Sequence, residues 1–115
     1  MKNNIKSIAL LSILFVALSS FISKSEKIII KTSGTCDMCK EKIEKTLNDV
    51  PGVEKAYFNL ANGAVTVKFE ADKTNADALR LSISAVGYDA DGVKANQSAH
   101  DALPKCCQKG QECKH

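Results

Sequence analysis

Cys36 and Cys39 are the residues of this 115-residue chain whose type and spacing best suit chemistry. They stand in Cys36-Asp37-Met38-Cys39, between a segment of strand character and one of helical character. Two thiols placed this way in a turn can face a common point. The helix that follows offers unpaired N–H groups and a partial positive charge at its N-terminus. Both effects favour thiolate over thiol, and thiolate is the form that binds metal. Two thiolates with no further obligatory ligand suit a soft ion that accepts near-linear coordination, Cu(I) or Hg(II). Zinc wants four ligands, and hard ions want oxygen. In an oxidising compartment the same spacing also serves a local disulfide or a redox dithiol. Met38, between the cysteines, is expected to pack or lie exposed beside the site, not to ligate.

Three more cysteines, Cys106, Cys107 and Cys113, crowd the C-terminal end together with His115. The total of five is odd, which argues against a closed disulfide framework and for at least one functional or intermolecular thiol. Adjacent cysteines rarely pair with each other, because the ring they would close is strained. The tail thiols are therefore extra metal ligands, partners in a disulfide among themselves or with Cys36 and Cys39, or exposed groups without a role. Reach permits the first reading. A final strand that begins at the metal end finishes ~20 Å away at ~3.3 Å per residue. The steps from Lys94 to Cys106 span up to ~40 Å when extended, enough to fold back. His100 is expected on the surface, and truncation after Ala95 is expected to remove no core residue.

Alternation and periodicity supply the elements that hold these groups. Residues 27–32 place Ile28, Ile30 and Thr32 on one face and Ile29 on the other, a strand with one buried side. From about 38 to 48, Cys39, Ile43 and Leu47 recur at helical spacing under an outer face of Lys40, Glu41, Glu44 and Lys45. Pro51-Gly52 ends that helix. Residues 53–60 predict a second strand with Ala56, Phe58 and Leu60 inward. Asn62-Gly63 predicts a tight turn with both residues at positive φ, and 64–70 a returning strand with Val65, Val67 and Phe69 inward. A second helix is expected from Thr74, its cap, with Leu79, Ile83 and Val86 as its stripe and Gly87 at its end. Residues 88–94 predict a short last strand, and a helical turn is expected around 98–103. The order β-α-β-β-α-β predicts an α+β, ferredoxin-like sandwich: a four-stranded antiparallel sheet with both helices on one face.

The N-terminus reads differently. Lys2 and Lys6 precede an uncharged apolar run over 7–23, the order of a secretory signal. Ala17-Leu18-Ser19 suits cleavage, expected at 19–24; the alternative is an uncleaved anchor, for which the run is short of the ~20 residues a spanning helix needs. The expected organisation is a signal over 1–23, a domain over 24–95 and a cysteine-rich tail over 96–115, in a periplasmic or secreted protein. The full chain carries 16 Lys and Arg against 13 Asp and Glu, and without Lys2 and Lys6 the balance is 14 against 13. No basic stripe interleaved with aromatics is present, so nucleic acid is not an expected partner. With four Phe, two Tyr and no Trp, the core must be largely aliphatic.

From about residue 27 to 94 the chain resembles the heavy-metal-associated domain family, which includes copper chaperones, N-terminal modules of copper-transporting ATPases and the periplasmic mercury-binding protein. The resemblance rests on Gly34-Thr35-Cys36-Asp37-Met38-Cys39, Ile43-Glu44-Lys45-Thr46-Leu47, Pro51-Gly52-Val53 with Asn59-Leu60, and Gly87-Tyr88-Asp89-Ala90. It implies the same βαββαβ fold, Cys36 and Cys39 as the metal ligands, and Tyr88 near the metal. The family usually reads Gly-Met-Thr-Cys where this chain reads Gly34-Thr35-Cys36, so a loop one residue shorter is expected, without a Met that packs beneath it. The implied role is a non-enzymatic carrier, chaperone or scavenger of Cu(I), with Hg(II) as the alternative ion. Its partner would be a metal-transporting membrane protein or another thiol-rich acceptor. A thiol-disulfide oxidoreductase is the rival, weakened because neither Pro51 nor Pro104 precedes a suitable strand and Trp is absent. A sensor or interaction module of a transporter system is a third class.

Overall fold

Strand alternation builds a sheet with one wet and one dry side. The computed structural model describes residues 24–108. The segment read as a signal, and Cys113 and His115 of the tail, lie outside these residues. β1 (Ser25–Lys31), β2 (Val53–Asn59) and β3 (Ala64–Glu70) form an antiparallel sheet in the order β1-β3-β2, with Ile30 opposite Val65 and Phe58 opposite the same Val65. Ile30, Ala56, Phe58, Val65, Val67 and Phe69 face inward and are buried. On the other face Ile29 and Tyr57 are exposed. Two helices cover the dry side: α1 (Asp37–Asn48), which buries Cys39, Ile43 and Leu47, and α2 (Ala76–Ala85), which buries Leu79 and Ile83. Burying each such Leu or Ile contributes roughly 1.5–3 kcal/mol relative to leaving it exposed.

β2 is an edge strand, and α1 shields its outer rim. Phe58 N–H donates to Glu44 Oε2 at 3.0 Å and Ala56 N–H to Asn48 Oδ1 at 3.1 Å. These two α1 side chains, one turn apart, satisfy backbone donors that would otherwise invite another strand.

Four expectations need correction. The sheet has three strands among the described residues; 88–94 makes only isolated bridges, Ala90 to Thr32 and Ala90 to Val93. The reason is a turn. Asp91 takes φ 50°, and Ala90 and Val93 exchange N–H···O bonds of 2.9 Å across Asp91-Gly92, so the chain folds on itself before it can run along β1. It is still pinned there: Asp91 N–H donates to Lys31 O at 2.8 Å, and Lys31 N–H donates to Asp91 Oδ1 at 2.9 Å. The β2–β3 connection is a four-residue loop, since Asn59 pairs with Ala64. Only Gly63 there has positive φ, and Leu60, expected inward, lies in the loop and is exposed. α2 is capped by Asn75, whose side chain accepts from Ala78 N–H, while Thr74 is buried one residue earlier.

The fourth correction concerns the chain after Ala95. It folds as α3 (Gln97–Asp101) and a 3-10 turn over Lys105–Cys107, both packed on the domain. Gly87, at φ 103°, is the seat: a Cβ there would lie 2.8 Å from the backbone of Ala99 and of His100. Asn96 N–H donates to Ser84 O at 2.9 Å, and Ser84 Oγ donates to Lys94 O at 2.7 Å. Leu103 and Cys107, each 4% exposed, join the core, so truncation after Ala95 does remove core residues. No helix among the described residues is long and apolar enough to cross a membrane.

Candidate metal centre

The loop between β1 and α1 is held from two sides. Thr32 at its start receives and gives: its N–H and Oγ1 both donate to Gly63 O, at 3.0 and 2.7 Å, and its Oγ1 accepts from Gly34 N–H at 3.1 Å. Ser33 Oγ accepts from Asp89 N–H at 2.9 Å, tying the loop to the segment after α2. The shorter loop closes directly on the core: a Cβ on Gly34 would stand 3.0 Å from Ile43 Cδ1 and 3.1 Å from the Phe58 ring. Backbone therefore fills the space under the loop where the resemblance places a Met.

Cys36 is the N-cap of α1, in extended conformation, and its side chain makes no cap hydrogen bond. Its carbonyl accepts from Lys40 N–H at 2.9 Å, the first bond of the helix. Cys39 follows within the first turn. The two sulfurs are 3.0 Å apart, and Cys36 and Cys39 are 2% and 0% exposed. The tail arrives at the same point. Cys107 Sγ lies 3.3 Å and Cys106 Sγ 3.7 Å from Cys36 Sγ, with 3.8 Å between the tail sulfurs. The sulfurs of Cys36, Cys106 and Cys107 all lie within 4.8 Å of one another, and none of the three is joined in a disulfide among the described residues. Thr35 Oγ1 donates to Cys106 O at 3.5 Å, joining loop to tail.

The thiols are not equivalent. Burial opposes ionisation of Cys39, but hydrogen bonds from the Cys107 and Cys36 side chains and from the Thr35 backbone outweigh it and hold Cys39 below the usual thiol range. Burial, then proximity to Cys39 and Cys36, pushes Cys107 well above that range. The pocket thus keeps an acidic thiol beside a reluctant one, with the reluctant one able to donate to its neighbour's thiolate. Tyr88 is fully buried, and its hydroxyl has no oxygen or nitrogen partner. Burial first, and then the adjacent Cys39 and Cys107 sulfurs, drive its ionisation far up, so it stays a neutral phenol facing sulfur.

Of the residues singled out in the sequence, Cys36, Cys39, Cys106, Cys107 and Tyr88 come together. Met38 is 52% exposed, its Sδ 3.9 Å from Cys106 Sγ, at the rim of the cluster. His100 is half-buried, its Nδ1 3.6 Å from Asp101 Oδ1, and is not part of the cluster. The seat at Gly87 was missed: the glycine reads from sequence as a helix end, and nothing in it announces a second segment resting there.

The model of the heavy-metal-associated domain matches residues 33–89. A solved CopZ metallochaperone is 33% identical, with a TM-score of 0.55, and the match covers 56% of this chain and 98% of that one. The chain belongs to the heavy-metal-associated domain family. This heavy-metal-associated domain also matches a copper-exporting P-type ATPase of Staphylococcus epidermidis, 33% identical over 91 residues, covering 78% of this chain. The chain spans only about a tenth of that ATPase, 11% of its length. The structure of oxidized MerP from Ralstonia metallidurans CH34, 23% identical with a TM-score of 0.57, shares the fold; 59% of this chain and 96% of that one are covered. Family membership accounts for the loop and the Cys36–Cys39 pair, whereas Cys106 and Cys107 lie beyond the matched residues.

Proposed function

We propose that this protein is an exported, non-enzymatic carrier of a soft metal ion, Cu(I) first, held by Cys36 and Cys39 and passed by ligand exchange to a metal-transporting membrane protein or another thiol-rich acceptor. The observation that carries the reading is the convergence of thiols, with no carboxylate or imidazole among them in the described residues, at the N-terminus of α1. An all-sulfur donor set selects soft ions over hard ones. The copper named for the ATPase favours Cu(I) over Hg(II). Residues 1–23 act as a signal removed at 19–24, which places the mature protein in the periplasm or outside the cell.

Anaerobic titration of the reduced mature protein with Cu(I), Hg(II) and Zn(II), with stoichiometry read by mass, tests the ion. Cu(I) or Hg(II) should be held far more tightly than Zn(II), and Cys36→Ser with Cys39→Ser should abolish tight binding. Tight one-to-one binding retained in that double variant moves the primary site to the tail and overturns the assignment. N-terminal sequencing of the exported form tests the compartment: an intact Met1 in a membrane fraction would show an anchor instead.

A further inference from the structure

We propose that Cys106 and Cys107 complete, with Cys36, a three-thiolate metal site, so that a bound ion latches the tail over the loop and a partner must displace the tail to take the ion. The proposal rests on the carrier reading and specifies how that carrier's site is closed and opened.

Geometry favours three sulfurs over two. A trigonal ion about 2.3 Å from each sulfur, the length of a zinc–thiolate bond, needs sulfurs about 4.0 Å apart. The triangle of Cys36, Cys106 and Cys107 has sides of 3.3, 3.7 and 3.8 Å. A near-linear ion between Cys36 and Cys39 needs about 4.6 Å at the same bond length, against an observed 3.0 Å. The triangle opens by a few tenths of an ångström and the pair by far more. Cys36 and Cys39 take up the ion, and when the tail closes Cys106 and Cys107 take the place of Cys39, which stays 3.0 Å from Cys36 as the exchanging thiol.

The tail is already in place. Leu103 is buried in the core, the backbone of Ala99 and His100 rests on Gly87, and Gln108 Nε2 donates to Leu103 O at 3.1 Å. An ion that meets ligands held in this way loses little free energy in ordering them. With the tail seated, Cys36 and Cys39 are 2% and 0% exposed, too closed for a partner's thiolate to reach. Cys106 is the half-exposed sulfur, beside exposed Met38, and is the ligand a partner can replace first. Loading forms a metal–sulfur bond to each ligand, and the displaced thiol protons go to solvent. Transfer then replaces Cys106 sulfur by a partner thiolate, one metal–sulfur bond breaking as one forms, with no change of oxidation state.

The test uses the full mature chain, reduced and anaerobic, with one equivalent of Cu(I). Alkylation of thiols, read by mass, should show Cys106 and Cys107 protected together with Cys36. X-ray absorption should count three sulfurs around copper. Cys106→Ser with Cys107→Ser should lower the count to two, weaken Cu(I) binding about 100-fold, the lower range for joining two binding groups, and speed release to a competing chelator by a similar factor. Cys106→Ser alone, at a half-exposed position, leaves Cys107 packed and Cys39 able to fill the vacant place, so it should weaken binding less than the double variant without loss of fold. Protection of Cys36 and Cys39 with both tail cysteines labelled, or an unchanged sulfur count in the double variant, overturns the latch while leaving the carrier intact. Labelling of Cys36 and Cys39 in the presence of Cu(I) overturns the carrier reading itself.

Discussion

The starts of α1 and α2 are built alike up to the side chain of the capping residue. Both caps are extended, Cys36 at φ −139° and Asn75 at φ −147°. Asn75 accepts a hydrogen bond from Ala78 N–H at 2.9 Å, as Asn96 does from Ala99 N–H at the start of α3, whereas Cys36 makes no such bond. A good cap is worth about 1 kcal/mol. At α1 that stabilisation is given up so that a sulfur can sit where helix N–H groups favour an anion. The difference separates helix ends that serve the fold from the one at the proposed metal site.

The largest effect should come from converting one kind of cap into the other. Cys36→Ser supplies an oxygen that can accept from the first turn, so the metal-free protein should unfold at the same temperature as the parent or higher. Its Cu(I) affinity should fall more than the 10–100-fold that loss of an outer-shell partner costs. Calorimetry and competition titration on the same samples read both numbers. A destabilised variant, or one that binds normally, breaks the contrast.

Next comes removal of what the tail contributes to packing. Truncation after Ala95 uncovers the surface that buries Leu103 and Cys107. Loss of the leucine alone should cost about 2 kcal/mol and lower the melting temperature by roughly 10 °C for a domain of this size. An unchanged melting curve would mean that the tail only rests on the domain. Asn75→Ala should then cost about 1 kcal/mol with no change in metal affinity, the inverse of the result at Cys36.

The smallest effect concerns Asp91. Burial works to raise its pKa, but hydrogen bonds from Arg80, at 2.9 Å, and from Lys31 N–H hold it below the ordinary carboxylate value. A depressed folded value contributes stability above the unfolded pKa, about 4, and that contribution fades as pH falls through the lower folded value. Asp91→Asn should therefore be less stable than the parent at neutral pH, with the gap closing toward acid. Urea melts across that range measure it, and a gap independent of pH would show that the charge plays no part.

What was legible in the sequence is what repeats locally. Alternation marked Ile28, Ile30, Val65, Val67 and Phe69, helical spacing marked Cys39, Ile43 and Leu47, and all of these face inward. The fourth strand failed because alternation over 88–94 carries no information about Asp91, whose left-handed backbone turns the chain. Residue type alone favours Thr74 as the cap, but Asn75 competes for the same role one residue later and makes the bond. The Cys36–Cys39 pair was visible as a motif. That Cys106 and Cys107 could reach it was a statement about chain length alone. Their arrival depends on Leu103 finding a gap in the core and on Gly87 having no side chain, both tertiary facts.

Gly87 also constrains how this chain can vary over evolutionary time. The position answers to two demands at once, a left-handed end for α2 and an empty seat for the backbone of α3. The first demand alone would tolerate Asn in some lineages; the second tolerates no Cβ. In descendants and cousins that retain the seated tail, glycine here should be invariant. Lineages that shed the tail keep only the first demand, so Asn in place of glycine at this position should appear only where the Cys106–Cys107 pair is also lost.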